Sequence, residues 1–268
     1  VLSFFRELGA REFVATSTGN SSTSLAYGVQ QVPDMQAHLF CGREFASRNA
    51  YCEHPRIHLH VVDGDAVESE ATARTFAQEN GLLFDGGFFN VARREGLKLA
   101  YLEAFDQLAP DEPDVVIQAV SSGMGLYGGY RGMREYQQMG RLRKTPRFVC
   151  AQQETCAPMV QAWTEGSPTI QPQHIIRNPS GLAEAILRGD PTQTYPYMHE
   201  IVRDTQGCFA AVNQDEMQRA RQLLYDMEGV DGCYSSATAL AAAIALRQQG
   251  WIQADALVVV NLTGGNRR

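Results

Sequence analysis

The sequence is short of lysine, of long apolar stretches and of secretion signals. Its 23 basic residues include only two lysines, Lys98 and Lys144, so a mechanism that needs a lysine amine has two candidates. Arginine cannot replace them, because its pKa stays above about 12. No apolar run approaches the roughly 18 residues that span a membrane. The first residues lack the basic segment and cleavage site of a signal peptide.

Positive charge and metal-binding motifs are also scarce. The formal net charge is −7, which argues against a broad nucleic-acid footprint because such a surface needs a basic face. None of the six cysteines forms a C-x-x-C pair, and the six histidines form no H-E-x-x-H motif, so no metal site is predicted. The cysteines are expected to be buried free thiols in a reducing cytoplasm.

Apolar runs alternate with amphipathic segments along the chain, which predicts an α/β fold with parallel sheets. The boundary is predicted within Gly81–Asn90, so that residues 1–85 form a small mobile domain and residues 86–268 a larger one. Strands are predicted at Glu12–Ala15, Ala37–Phe40, Ile57–Val62, Val115–Val120, Phe148–Ala151 and Leu257–Leu262, and helices at Ser22–Val29, Ala66–Glu79, Gly96–Leu108, Gln214–Asp226 and Ala237–Gln249.

A glycine loop follows the strand Val115–Val120 and leads into a helix. It reads Ser121-Ser122-Gly123-Met124-Gly125-Leu126-Tyr127-Gly128-Gly129. Glycine lets the backbone approach an anion closely, and the N–H groups at a helix N-terminus bind phosphate. The spacing G-x-G-x-x-G also matches a dinucleotide-binding fingerprint, although Glu154 lies beyond the usual place of its acidic residue. A tight turn without a ligand is the third interpretation.

A second loop joins a strand to a helix and is rich in hydroxyl groups. It reads Ala15-Thr16-Ser17-Thr18-Gly19-Asn20-Ser21-Ser22. Free N–H groups at a helix N-terminus, next to hydroxyl and amide side chains, suit a carboxylate or another anion. The alternative is a helix that these side chains cap without any ligand.

Five segments, in chain order, resemble the motifs of fold-type II pyridoxal-phosphate enzymes, and threonine synthases and their relatives most of all. The hydroxyl-rich loop is similar to S-[ST]-G-N-T-[AS]-x-[AS]-L, and the glycine loop to V-G-N-G-G-N-L-x-G-x-x-K-G. The other motifs are N-P-x-R-x-E-G-x-K, E-G-I-x-x-E-P-A-S-A and T-G-x-G, which match Asn90–Lys98, Glu228–Ala237 and Leu262–Gly265. Together the matches extend from Val14 to Thr263.

The resemblance implies a role for each loop. Asn20 would hydrogen-bond the ring hydroxyl of pyridoxal 5′-phosphate, and Thr263 would lie at the pyridine nitrogen. A neutral hydroxyl there leaves the nitrogen unprotonated, which favours β- and γ-eliminations and replacements. The substrate carboxylate would be bound by Ser17, Thr18, Asn20 and Ser21, and the cofactor phosphate by the backbone of Ser121, Ser122, Gly123, Met124 and Gly125.

The sequence departs from the family motifs at several positions. Ser121, Ser122 and Met124 stand where Gly and Asn are usual, and Cys233-Tyr234 replaces Glu-Pro. After Thr263-Gly264-Gly265 the chain reads Asn266-Arg267-Arg268 instead of G-L-K. These changes leave room for a related β-replacement enzyme beside threonine synthase itself.

The largest departure concerns the lysine that attaches the cofactor. In the family it lies in an S-F-K-D-R-like motif upstream of the hydroxyl-rich loop, whereas only 16 residues precede Ser17 here and none is lysine. Lys98 falls where the family has a different lysine, and Lys144 lies in an arginine-rich loop. No catalytic residue is therefore predicted in this chain. The lysine is expected on a missing N-terminal segment or on a partner chain.

The resemblance implies a pyridoxal-phosphate dependent lyase or synthase with two three-layer α/β/α lobes, parallel or mixed, that lack an N-terminal part. The expected reaction is threonine synthase-like elimination and replacement on an O-phosphorylated or similarly activated amino acid such as O-phosphohomoserine. A cysteate-synthase-like enzyme, which uses O-phosphoserine and sulfite, is the alternative, and a non-catalytic pseudoenzyme lobe is another. A homodimer without nucleic-acid or membrane partners is expected.

Overall fold

The computed structural model describes residues 1–17, 19–64 and 66–266, and of residues 66 and 67 only the backbone. The chain forms two compact units, Val1–Arg93 and Arg94–Arg268. The smaller size and mobility of a first domain ending at residue 85 remain predictions. Among the described residues no helix is long and apolar enough to cross a membrane.

The first unit contains a four-stranded parallel sheet with strand order β3-β2-β1-β4. An α-helix connects the first strand to the second and the third to the fourth, whereas the 3-10 helix Arg43–Arg48 lies between the second and third strands. In chain order, its elements are α1 (Leu2–Glu7), β1 (Glu12–Thr16), α2 (Asn20–Gln31), β2 (Gln36–Gly42), β3 (Ile57–Val62), α3 (Ala66–Glu79) and β4 (Leu83–Phe84).

The central strand β1 is buried on both faces. Phe13 and Ala15 belong to the apolar cluster with residues of α1 and α2. Val14 points to the opposite face and packs with Ala73 and Ala77 of α3, because successive side chains of a strand alternate between faces. This double burial explains the continuous apolar character of the strand.

The second unit contains another four-stranded parallel sheet, with strand order β7-β6-β5-β8. The helix α4 (Val91–Leu97) leads into it across the border between the units. The elements that follow are α5 (Leu99–Leu108), β5 (Val115–Ala119), α6 (Met124–Gln138), β6 (Arg147–Gln153), α7 (Pro158–Thr164), α8 (Tyr195–Asp204), β7 (Cys208–Val212), α9 (Gln214–Glu228), α10 (Tyr234–Gln248) and β8 (Val258–Asn261).

Helices cover both faces of the second sheet. On one face Ile117 and Val149 pack with alanines of α10 and with α9. On the other face the ring of Phe148 contacts Tyr130 of α6, and Phe209 contacts Tyr195 of α8. All five residues of β5 are buried, as the apolar run predicted.

The strand Ile57–Val62 and the helix Ala66–Glu79 are confirmed to the residue. The single helix predicted at Gly96–Leu108 is wrong, because α4 ends at Leu97 and α5 begins at Leu99. The break lies where α6 packs closely: a Cβ at Gly128 would come within 2.5 Å of the Arg94 carbonyl oxygen. The helices α7 and α8 and the strand β7 were not predicted, although the buried Tyr195, Met198, Ile201 and Val202 of α8 recur at helical spacing.

Candidate cofactor and substrate site

The glycine loop turns sharply between β5 and α6. Gly123 is the residue before the helix and has φ = 80°, a left-handed conformation that suits glycine. A Cβ at Gly123 would lie 2.0 Å from the Met198 sulfur, and one at Gly125 would lie 2.7 Å from the Gln118 amide nitrogen. The backbone therefore reaches this position only with glycine at both sites.

The N-terminus of α6 has no cap of its own. No side chain caps the helix, and its first turn carries no acidic residue. Tyr127 is the first residue of the helix whose N–H donates to a backbone carbonyl, that of Gly123, at 2.9 Å. The preceding N–H groups, including those of Met124 and Gly125, point out of the helix end. A 15-residue helix with free N–H groups suits a phosphate.

A buried polar network supports the sheet next to this loop. The Asn261 amide, at the end of β8, donates to the Tyr101 hydroxyl at 3.0 Å and to the Gln118 side-chain oxygen at 2.9 Å. Tyr101 also hydrogen-bonds Gln118. Burial raises the pKa of Tyr101, so the phenol stays neutral and donates. The network fixes Gln118 against Gly125 and anchors the strand that leads to Thr263.

Thr263 itself is exposed in the segment that follows β8. Its neighbour Gly264 is held by Ser236 of α10, whose hydroxyl donates to the Gly264 carbonyl at 2.7 Å and accepts from the Gly264 N–H at 3.1 Å. The Cys233 N–H donates to the same carbonyl at 3.0 Å. The last two predicted motifs therefore meet, and the placement of Thr263 at a pyridine nitrogen remains a prediction.

The hydroxyl-rich loop in the first unit satisfies its own N–H groups. The Ser17 hydroxyl accepts from the N–H groups of Gly19 and Ser21, at 3.0 and 3.1 Å. Ser22 is buried and donates to the Gly19 carbonyl at 3.1 Å. Asn20 is exposed, and Thr18 lies outside the described residues. Ser17 thus satisfies two N–H groups at this helix end, and both the capped-helix interpretation and the carboxylate role of this loop remain predictions.

Arg93 brings a positive charge to this loop. Its guanidinium lies 2.5 Å from the Asp85 carboxylate, with the two side chains 12% and 3% exposed, and donates to the Ser21 hydroxyl at 2.9 Å. The Asn90 amide donates to the same carboxylate at 2.9 Å. Sequence reasoning missed this role, although Asn90 and Arg93 both belong to the quoted N-P-x-R match.

Both lysines are held in ion pairs. The Lys98 ammonium contacts Glu95 at 2.5 Å and Glu135 at 2.8 Å. Burial alone would lower the Lys98 pKa, but the hydrogen bonds with Glu135 and Glu95 outweigh it and raise the pKa. Lys144 is half-exposed and pairs with Asp114. Neither side chain has the apolar surroundings that turn a lysine into a nucleophile.

The cysteines and histidines form no part of these loops. All six cysteines are free thiols, but only Cys41, Cys150 and Cys156 are buried, so the prediction of buried thiols is wrong for the other three. His58 and His60 share one face of β3, and the His38 ring stacks on both. No metal-binding group of three or more ligands was found among the described residues.

A groove of about 540 Å³ lies between α5 and α6, and it is lined by Leu99, Leu102, Glu103, Asp106, Gln107 and Tyr136 rather than by predicted site residues.

Comparison with known proteins identifies the family. Residues 1–264 match the pyridoxal-phosphate dependent enzyme family, and the chain belongs to this family. Cysteate synthase from Methanosarcina barkeri is 26% identical over 275 residues, which are 98% of this chain and 66% of that protein. Threonine synthase from Methanosarcina acetivorans is 29% identical over 260 residues, which are 96% of this chain and 63% of that protein. The chain thus spans about two thirds of these relatives.

The fold agrees with this assignment. Maize serine racemase superposes with a TM-score of 0.79 at 19% identity, over 98% of this chain and 75% of that structure. The predicted α/β fold of the fold-type II enzymes is therefore confirmed. Family membership also favours pyridoxal 5′-phosphate over a dinucleotide at the glycine loop.

The residues present fit the cofactor phosphate. The open N-terminus of α6 offers N–H donors, and neither a side-chain cap nor a first-turn carboxylate competes for them. Ser121, Ser122, Gly123, Met124 and Gly125 lie together at this helix end. The assignment of each residue to the phosphate remains a prediction.

Proposed function

We propose that this chain supplies the cofactor phosphate site and the substrate carboxylate site of a threonine synthase-like lyase or synthase. The enzyme would act on an O-phosphorylated or similarly activated amino acid by β- or γ-elimination and replacement. One observation carries the proposal: α6 has an uncapped N-terminus, which a left-handed Gly123 places at the carboxyl end of β5. Ligands of parallel α/β sheets bind at this end of the strands.

The chain's own residues bind and orient. The N–H groups from Gly123 to Gly125 are proposed to hold the cofactor phosphate, with Thr263 at the pyridine nitrogen. The N-terminus of α2 supplies partial positive charge for the substrate carboxylate, which Ser17, Thr18, Asn20 and Ser21 are proposed to bind. Arg93, whose own charge is paired with Asp85, holds the Ser21 hydroxyl. When bound, pyridoxal 5′-phosphate would supply the electron sink for the electron pair that stays on the α-carbon when the α-proton is removed.

We also propose that neither Lys98 nor Lys144 attaches the cofactor. The raised pKa of Lys98 keeps its amine protonated between two carboxylates, and Lys144 is paired with Asp114. The attaching lysine would then belong to an upstream segment or a partner chain. As a test, the Lys98→Arg protein should change the absorbance of added pyridoxal 5′-phosphate as the unmodified protein does; loss of that change would assign the lysine to position 98.

A spectrum and two assays test the function. Addition of pyridoxal 5′-phosphate to this chain, together with the upstream segment or partner chain that carries the attaching lysine, should give a protein-bound absorbance band. The complex should then release inorganic phosphate from O-phosphohomoserine. Formation of cysteate from O-phosphoserine and sulfite would favour the alternative reaction, which the similarity to cysteate synthases supports. Cofactor binding without either reaction would favour the pseudoenzyme lobe, and no binding would contradict all three.

The oligomeric state and the cellular location of the protein are also proposed. A homodimer is proposed from the family resemblance, and light scattering of the purified protein should give twice the mass of the chain. A cytoplasmic location is proposed because all six cysteines are free, and free thiols persist in reducing compartments.

A further inference from the structure

Gln152 carries a buried amide nitrogen without a hydrogen-bond partner. The side chain is 1% exposed, and its Nε2 finds no acceptor among the described residues. Its Oε1 accepts from the N–H groups of Met159 and Val160 of α7, at 3.0 and 3.3 Å. These two donors fix which end of the amide is oxygen. A buried unpaired donor is costly in a folded protein, so the NH₂ group calls for an acceptor that the chain does not supply.

The register of the second sheet places Gln152 beside the glycine loop. Ala119 of β5 pairs with Ala151 of β6, and the Val120 N–H donates to the Ala151 carbonyl at 2.9 Å. Gln152 is the next residue of β6. The backbone of Val120 leads directly into Ser121, so the loop and Gln152 lie at adjacent strand ends.

Gln152 also lies on the face of the sheet that α6 covers. Gln118 and Cys150 are register partners, so Gln118 and Gln152 point to the same side. Gly125, in the first turn of α6, packs against Gln118. The side chain of Gln152 and the open end of α6 therefore share one face.

The carbonyl end of the Gln152 amide faces α7. Trp163 of α7 packs on Phe209 of β7, with the ring centroids 5.3 Å apart, so α7 lies over the β7 side of Gln152. The strand on the other side of Gln152 is β5, which leads into the glycine loop. The nitrogen, rather than the oxygen, is therefore the end of the amide that is left to bind a ligand there.

We propose that the Gln152 NH₂ group is a side-chain donor to the phosphate of the ligand bound at the glycine loop. This inference rests on the proposed function, because it assumes that the open N-terminus of α6 binds the cofactor phosphate. Gln152 would thereby connect two helix ends: its oxygen caps α7, while its nitrogen adds a donor to those of α6.

The test compares two ligands that differ only in the phosphate. Pyridoxamine 5′-phosphate and pyridoxamine form no covalent link to lysine, so their dissociation constants, measured by calorimetry, report the phosphate site alone. The ratio of the two constants is the phosphate preference. Gln152→Glu keeps an oxygen that caps α7 but replaces the donor by a negative charge. We expect its phosphate preference to fall by about tenfold to a hundredfold, because a hydrogen bond to a charged group is lost.

Two further variants make the result specific. Gln161→Glu adds the same charge to an exposed position of α7 and should keep the phosphate preference within about twofold. Gln152→Met removes cap and donor without adding charge, and its preference should fall by about tenfold. Because each preference is a ratio within one folded protein, confirmed by circular dichroism, a loss of stability does not imitate the effect.

The outcomes separate this inference from the proposed function. An unmodified protein that prefers the phosphorylated ligand, together with Gln152 variants that keep this preference, would overturn the role of Gln152 and leave the proposed function intact. An unmodified protein without any phosphate preference would overturn both.

Discussion

The N-termini of α2 and α6 both follow a buried parallel strand, but their backbone N–H groups are satisfied in different ways. At α2, Ser17 accepts from two N–H groups, and Arg93 reaches the adjacent Ser21 hydroxyl. At α6, no side chain caps the helix. Two N–H groups of the first loop are therefore satisfied by a side chain within the loop, whereas no side chain satisfies those at the start of α6.

This difference matches the two proposed ligands. A cofactor phosphate that stays bound suits N–H groups that are permanently free. A substrate carboxylate that comes and goes suits a loop whose N–H groups are satisfied by Ser17 in its absence. A third helix end is capped by two side chains: at α9, Asn213 and Glu216 form a reciprocal capping box.

The largest effect is expected from the ion pair that supports the α2 loop. Arg93→Gln leaves the buried Asp85 carboxylate without its cation, which should lower the free energy of unfolding by about 3–5 kcal/mol. Urea denaturation measures it. Arg6→Gln breaks the exposed pair with Asp34 and should cost less than about 1 kcal/mol. Equal losses in the two variants would mean that the Arg93 pair does not support the loop.

The next effect concerns the α6 loop. Gly123→Ala forces a side chain into a left-handed residue and against Met198. It should weaken binding of pyridoxamine 5′-phosphate by about tenfold or more, because overpacking costs about 1–3 kcal/mol. Gly140 has φ = 70° and open space around it, so Gly140→Ala isolates the conformational cost and should leave binding unchanged. Unchanged binding in Gly123→Ala would contradict the tight loop geometry.

A smaller effect is expected when one serine of the hydroxyl-rich loop and one of the glycine loop are each replaced by alanine. Ser17→Ala removes the acceptor of two N–H groups and should destabilise the protein by about 1 kcal/mol in urea denaturation. Ser121→Ala, in the glycine loop, should change stability by less than about 0.5 kcal/mol. If Ser121→Ala lowers the free energy of unfolding as much as Ser17→Ala does, side chains support the two loops equally.

The smallest effect is a pH dependence in the first unit. Burial, with His38 and His58 nearby, lowers the pKa of His60 from 6.5. The unfolded chain therefore binds the proton more readily, and stability should fall as the pH drops below about 6.5. His60 stacks on Phe40, whose carbonyl accepts from the Ser17 N–H at 3.1 Å. Protonation of His60 should therefore also destabilise the hydroxyl-rich loop.

His60→Phe tests this dependence, because it keeps an aromatic ring against Phe40. Its melting temperature should decline less between pH 7.5 and 5.5 than that of the unmodified protein. The groups around His60 are His38, which hydrogen-bonds its ring, Glu12 behind His38, and His58 and Phe76. An identical decline in His60→Phe would assign the dependence to another member of this group.

The local elements of the fold could be predicted from the sequence. The apolar run of β5 and the amphipathic period of α3 depend on neighbours a few positions apart, and both elements lie where the pattern places them. The break at Lys98 could not be predicted, because the helix that packs against it begins at Met124. The strand β7 is as long as β5 but could not be predicted, because its alanines have little preference for strands.

By itself, the sequence determined the two loops, since glycines and hydroxyl groups at a strand end are local signals. It also determined that this chain has only two lysines that could attach the cofactor. Tertiary structure decided which N–H groups remain free for a ligand. Arg93 and Ser21 are 72 positions apart and meet only because the chain returns to the sheet. Gln152 lies beside the glycine loop only through the pairing of β5 with β6, because strand register depends on the packing of the whole sheet.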